Sequence, residues 1–135
     1  MGYTLGAMKV TWRYVAVEAI SREELKEKMD RGDDFVLVDT MAEMYYRHSH
    51  LPGAINVPVD ELGERAPKLL PDKHAEIIVY CIDLPCQASE EAASKLEAMG
   101  YGNVREYVGG KQDWIEHALP AEGRYYERRR QHAED

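Results

Sequence analysis

Residues 77–81 read Ile-Ile-Val-Tyr-Cys, and this stretch decides the fold. It is a continuous apolar run, which is typical of a strand buried on both faces of a parallel sheet. Residues 35–38 have the same character and are followed by Asp39. Cys81 and Asp39 therefore stand at the carboxyl ends of buried strands, where open α/β sheets bind their ligands.

Helical and extended segments alternate along the rest of the chain. Ser21 and Glu24 form a capping box at the start of a helix that Gly32 ends. This alternation predicts an α/β fold, with a mainly parallel sheet and helices on both faces. The other predicted elements are strands over 13–18 and 104–108, an extended segment before Pro58, helices near 42–47, 59–69 and 89–100, and a helix after Gly110. An irregular loop is expected over 82–88.

Length and charge limit the class of protein. A chain of 135 residues suits one domain, with a core over about 18–120, an N-terminal extension over 1–12 and a C-terminal helix over about 121–132. The net charge of −8 disfavours nucleic acid as a partner. No apolar run approaches the ~20 residues of a membrane span, and the first residues do not resemble a signal peptide. We therefore expect a cytoplasmic protein without a membrane partner.

The two cysteines, Cys81 and Cys86, are the candidate reactive groups. A loop that runs from a strand into a helix, here capped by Ser89, directs backbone N–H groups at its centre and stabilises a thiolate there. A buried cysteine can equally be a packing residue. The C-x4-C spacing permits a disulfide or a resolving thiol, and Cys86 can equally fill a gap in the loop.

Two other chemistries fit the sequence less well. His48 and His50, with the two cysteines, have a spacing unlike that of common structural zinc sites, so we expect neither a metal nor a cofactor. His50 is expected to donate to a backbone carbonyl in the turn before Pro52. A phosphatase would need an arginine in the loop after the cysteine, and the first arginine after Cys81 is Arg105.

Four stretches occur in a specific order. They are Leu37-Val38-Asp39 with the segment from His50 to Pro58, then Val79-Tyr80-Cys81, then Ala92-Ala93 with Leu96 and Gly100-Tyr101, and finally Gly109-Gly110 with Trp114. This order resembles the rhodanese family of sulfurtransferases over about residues 18–120.

The resemblance implies an α/β fold with a five-stranded, mainly parallel sheet. It also implies that Cys81 forms a persulfide, with Asp39 and His50 in supporting places. The implied active-site loop consists of Ile82, Asp83, Leu84, Pro85, Cys86, Gln87, Ala88 and Ser89.

The sequence departs from the family pattern at the site itself. The usual loop, C-x-x-G-x-R-S-x-x-A-A, is two residues shorter than the one here, and this loop contains Asp83 but no arginine or lysine. Met41 replaces an arginine that often follows the strand-end aspartate, and Tyr45 replaces a glutamate, so Asp39 loses its usual local partners. We therefore expect weak thiosulfate:cyanide activity and a preference for uncharged or protein-bound donors.

The expected function is a sulfurtransferase in which Cys81 takes sulfane sulfur from a small donor or a persulfide-carrying protein. A thiol or cyanide then accepts the sulfur. The alternative is a catalytically weak binding or redox-sensing module of the same fold that uses Cys81 and Cys86.

Overall fold

The computed structural model describes residues 17–82 and 87–128. Its five strands form one sheet in the order β1-β5-β4-β2-β3, and every neighbouring pair is parallel. The strands are β1 (Glu18–Ala19), β2 (Val36–Asp39), β3 (Ile55–Asn56), β4 (Ile77–Tyr80) and β5 (Val104–Tyr107). The predicted five-stranded α/β fold is confirmed.

Helices connect the strands. They are α1 (Arg22–Arg31), α2 (Glu43–His48), a 3-10 turn (Val59–Glu61), α3 (Leu62–Leu69), α4 (Gln87–Ala98) and α5 (Gly110–Glu116). Residues 124–128 are also helical, within the range predicted for a last helix. Most of the predicted strand over 13–18 and the end of that last helix lie outside the described residues. None of the described helices is long and apolar enough to cross a membrane.

The alternation of side chains along β4 divides the core into two layers. Ile77 and Val79 face the layer that packs on α3 and α4, whereas Ile78 and Tyr80 face the layer that contains Trp114 of α5. All four strand residues are fully buried. Because neither face of β4 is exposed to solvent, its sequence does not alternate between apolar and polar residues. This explains the uninterrupted apolar run over residues 77–80.

The start of α1 joins the helix to the sheet. Ser21 Oγ accepts from the Glu24 N–H at 3.1 Å, and Gly32 ends the helix at a φ of 74°. The Glu24 carboxylate does not complete the predicted capping box, because it binds Arg105 of β5 at 2.8 Å. The cap at Ser21 is thus confirmed, and the second half of the box is replaced by an ion pair.

Helix α4 begins two residues earlier than predicted. Ser89 is not its cap but lies in its first turn, on the buried face that it shares with Ala92, Ala93 and Leu96. This spacing is that of one helix face, which favours continuing the helix through Ser89. The Ser89 hydroxyl donates to Glu106 Oε2 of β5 at 2.7 Å, so it is satisfied without capping.

Candidate active site around Cys81

Cys81 follows β4 directly, at the carboxyl edge of the sheet, and is 2% exposed. It lies on the wall of an open cavity of about 540 Å³. Cys81 is disulfide-bonded in this structure. Cys86 is the only other cysteine of the chain and lies outside the described residues. The other residues that line the cavity are Thr40, Met41, Ala42, Glu43, Pro58, Val59, Asp60, Glu61, Ile82 and Ala88.

The predicted active-site loop is only partly described. Ile82 and Ala88 line the cavity with Cys81, whereas Gln87, Ala88 and Ser89 already belong to α4. The predicted loop residues Asp83, Leu84, Pro85 and Cys86 lie outside the described residues. The expected cradle of loop N–H groups therefore remains a prediction.

The turn at the start of α5 holds the backbone of Cys81 and Ile82 in place. The Lys111 N–H donates to the Cys81 carbonyl at 2.9 Å, and the Gln112 N–H donates to the Ile82 carbonyl at 2.6 Å. Gly110 has a φ of 71°, and a Cβ there would lie 2.9 Å from the Cys81 carbonyl oxygen. Only glycine allows this close approach without displacing Cys81.

Asp39 ends the neighbouring strand β2 and is fully buried. Its Oδ1 accepts from the Met41 N–H at 2.9 Å, and its Oδ2 accepts from the Tyr80 hydroxyl at 3.0 Å. Burial raises the pKa of Asp39, although these hydrogen bonds and the charge of Lys111 act in the opposite direction. Asp39 lacks the family's usual partners, as predicted, but it has others that the sequence analysis missed.

Lys111 is the cation that sequence analysis did not find. The residue is 5% exposed, and its Nζ donates to the Tyr45 carbonyl at 3.0 Å. Burial lowers its pKa, while the charge of Asp39 acts to raise it. Lys111 and Asp39 are thus two buried opposite charges that attract each other near the site, while the hydrogen-bond partner of Lys111 Nζ is the Tyr45 carbonyl. No sequence signal indicates this arrangement, because Lys111 and Asp39 lie far apart in the chain.

Met41 contacts the Cys81 sulfur. Its Sδ lies 3.2 Å from Cys81 Sγ. Because a disulfide sulfur has no proton to donate, this is a contact between two sulfur atoms rather than a hydrogen bond. The Met41 carbonyl accepts from Asn56 Nδ2 at 2.8 Å, while its N–H is held by Asp39. The backbone N–H and the backbone carbonyl of Met41 are therefore both held by hydrogen bonds.

His50 is placed in the turn, as predicted, and does not line the cavity. Its Nδ1 donates to the Tyr46 carbonyl at 2.7 Å, and its ring stacks on the Tyr46 ring at 3.9 Å. The backbone of His50 exchanges hydrogen bonds with Glu122 at 2.8 and 2.9 Å. Within residues 17–82 and 87–128, no group of three or more His, Cys, Asp or Glu side chains is arranged to hold a metal ion.

The sequence profile of the Rhodanese-like domain matches residues 21–117. The chain belongs to the rhodanese-like domain family. This rhodanese-like domain is 37% identical over 76 residues to the thiosulfate sulfurtransferase PspE of Escherichia coli, a match that covers 56% of this chain and 70% of PspE. It is 29% identical over 99 residues to the putative sulfur carrier protein YrkF of Bacillus subtilis, covering 73% of this chain and 51% of YrkF.

Solved structures agree with this assignment. The crystal structure of the BH2092 protein from Bacillus halodurans matches with a TM-score of 0.75 and 26% identity, covering 90% of this chain and 88% of that one. The rhodanese-like domain spans about half the length of two of its curated relatives, YrkF and the HTH-type transcriptional regulator Rv0324 of Mycobacterium tuberculosis. The relatives include the thiosulfate sulfurtransferase PspE and a sulfurtransferase of Allochromatium vinosum, so the family to which this domain belongs is a sulfurtransferase family.

Proposed function

We propose that this domain is a sulfurtransferase that carries sulfane sulfur as a persulfide on Cys81. The observation that carries the proposal is the position of the Cys81 sulfur. It lies on an open cavity at the carboxyl edge of a parallel sheet, in a fold whose relatives are named for sulfur transfer. Ligands of such sheets bind at this edge, and a thiolate there is a nucleophile within reach of a donor.

The reaction has two displacements at sulfur. In the first, the Cys81 thiolate attacks the sulfane sulfur of the donor, forms a new S–S bond and releases the remainder of the donor with the electron pair of the broken bond. Sulfite leaves from thiosulfate, and a thiolate leaves from a persulfide. In the second, cyanide or a thiolate attacks the outer sulfur and releases the Cys81 thiolate. No external oxidant is needed in either step.

The disulfide supports a second candidate, a redox-sensing role of the same cysteine. Cys81 is disulfide-bonded in the structure, and this form must be reduced before the first displacement. If Cys86 is the partner, its thiolate attacks the inner sulfur of a Cys81 persulfide, forms the disulfide and releases hydrogen sulfide. The two candidates then differ in the fate of the persulfide, which is either transfer to an acceptor or internal release.

Single-turnover transfer distinguishes these roles. The reduced protein is incubated with thiosulfate or with the persulfide of β-mercaptoethanol, desalted and mixed with cyanide, and thiocyanate is measured. We expect thiocyanate from the wild type and none above background from Cys81→Ser. The matched control, Cys86→Ser, is expected to form the persulfide at nearly the wild-type rate and to retain it for longer.

The outcomes separate cleanly. Thiocyanate formation that survives Cys81→Ser but is lost in Cys86→Ser would reverse the assignment of the nucleophile. Release of hydrogen sulfide by the wild type, with no thiocyanate, would favour the sensing role. An unchanged persulfide lifetime in Cys86→Ser would make Cys86 a packing residue of the loop.

A further inference from the structure

The wall of the Cys81 cavity combines apolar surface with negative charge. Of the described residues that line it, Glu43, Asp60 and Glu61 are the charged ones, and none is basic. Glu43 is paired with Arg47 of its own helix, and Glu61 of the 3-10 turn is paired with Arg65 of α3; neither arginine lines the cavity. The apolar part consists of Met41, Ala42, Pro58, Val59, Ile82 and Ala88.

The buried cation near the site does not offset this charge within the cavity. Lys111 does not line the cavity, and its Nζ is engaged with the Tyr45 carbonyl. An anionic donor that approaches Cys81 must therefore lose part of its hydration beside carboxylates, without a cationic partner from the described wall. A neutral or cationic donor does not meet this penalty.

Met41 occupies the position next to the reacting sulfur. Its thioether contacts Cys81 Sγ at 3.2 Å, and its backbone is held by Asp39 on one side and Asn56 on the other. The thioether is a soft apolar group, which packs well against a neutral sulfur chain and supplies no charge to an anion. The side chain that lies against Cys81 Sγ is thus uncharged, and its backbone is held on both sides.

We propose that this site takes sulfane sulfur from persulfides of neutral or positively charged thiol carriers, with Met41 as the specificity-determining residue. The inference rests on the proposed function, and it names the class of donor. The Cys81 thiolate attacks the outer sulfur of a carrier persulfide. A Cys81 persulfide forms, and the carrier leaves as its thiolate with the electron pair of the broken S–S bond.

A matched series of small donors tests the charge preference. The persulfides of cysteamine, β-mercaptoethanol and β-mercaptopropionate present the same reacting group on similar short chains, with a positive, a neutral and a negative end. For the reduced wild type, we expect kcat/KM for persulfide formation to fall in that order, by roughly threefold per step, mainly through KM. Thiosulfate, a dianion, is expected to react slowest.

Met41→Arg tests the assigned residue. We expect it to raise kcat/KM for the β-mercaptopropionate persulfide by roughly tenfold relative to the cysteamine persulfide. The control is Met44→Arg, because Met44 is 70% exposed and lies outside the cavity wall. In the control, the donor ratio, which is kcat/KM for the β-mercaptopropionate persulfide divided by kcat/KM for the cysteamine persulfide, should stay within about twofold of the wild-type value.

A second variant keeps the test valid if Met41→Arg does not fold. Asp60 is exposed on the cavity rim, so Asp60→Lys should shift the donor ratio in the same direction with little effect on folding. Equal rates for the three persulfides, or a ratio that Met41→Arg and Asp60→Lys leave unchanged, would overturn the inference and leave the proposed function standing. Absence of a Cys81 persulfide with every donor would overturn both.

Discussion

Asp39 and Asp113 each accept a hydrogen bond from a tyrosine hydroxyl, and these two tyrosines are register neighbours on adjacent strands. Tyr80 of β4 donates to Asp39 at 3.0 Å, and Tyr107 of β5 donates to Asp113 at 2.5 Å. The two carboxylates nevertheless shift in opposite directions. Burial raises the pKa of Asp39, whereas for Asp113 the bonds from Tyr107 and Arg22 outweigh burial and lower the pKa.

The difference lies in burial and in how the nearby cation acts on each carboxylate: Arg22 is hydrogen-bonded to Asp113, whereas Lys111 acts on Asp39 through its charge. Arg22 Nη1 lies 2.9 and 3.0 Å from the two Asp113 oxygens, and the Asp113 side chain is 28% exposed. Asp39 is fully buried, and the Nζ of its cation, Lys111, donates to the Tyr45 carbonyl. The Asp113 pair is an ordinary partly exposed ion pair between helices. The Asp39 pair places two desolvated charges next to the segment that bears Cys81.

The largest effect is expected from Lys111→Met. This change leaves the Asp39 carboxylate buried without its counter-charge, and we expect the free energy of unfolding to fall by about 3 kcal/mol at neutral pH. Denaturant unfolding measures the loss. The matched control, Arg22→Met, leaves Asp113 partly hydrated and bound to Tyr107, so its loss should be clearly smaller.

A second change checks the cause. Adding Asp39→Asn to Lys111→Met removes the unpaired charge, so the double variant should recover part of the lost stability. If the two losses simply add, the charges are not coupled, and Lys111 stabilises the fold only by packing and by its bond to Tyr45.

A smaller loss is expected from Gly110→Ala. A Cβ at Gly109 would contact the Asp113 side chain, whereas a Cβ at Gly110 would contact the Cys81 backbone. Gly109 therefore belongs to the surroundings of Asp113, and Gly110 to those of Cys81. Gly53→Ala is a control for backbone strain, since Gly53 has a φ of 77° and open space around it. We expect Gly53→Ala to cost about 1 kcal/mol and Gly110→Ala about 2 kcal/mol. Only Gly110→Ala should also slow alkylation of reduced Cys81, and equal alkylation rates would show that the turn at Gly110 does not position Cys81.

The smallest effect concerns pH. Because the folded pKa of Asp39 lies above its ordinary value of 3.8, the native state binds more protons there, so its contribution to stability falls as pH rises from about that value. Asp113 has a lowered pKa, so its contribution is present above 3.8 and is lost on acidification. In urea unfolding across pH, Asp39→Asn should remove the first trend and Asp113→Asn the second. Variants that leave both slopes unchanged would contradict these assignments.

The sequence was sufficient to predict a mainly parallel sheet and the strand-end position of Cys81, because residues 77–81 and 35–38 are short uninterrupted apolar runs between helical segments. The start of α4 was misplaced because Ser89 is a good cap in isolation, and only Glu106, distant in sequence, supplies its actual partner. The hydrogen bond from Tyr80 to Asp39 and the charge of Lys111 nearby were missed for a related reason. They join three separate segments, and a single sequence carries no signal for such pairings.

Intact and peptide mass spectrometry of the reduced protein tests the central claim most directly. After brief exposure to the persulfide of β-mercaptoethanol, removal of excess donor and alkylation, we expect a gain of one sulfur atom on the peptide segment that contains Cys81. Because Cys86 is close in sequence, the measurement is made in parallel on Cys86→Ser, which should show the same gain, and on Cys81→Ser, which should show none. A sulfur gain that persists in Cys81→Ser and disappears in Cys86→Ser would contradict the account.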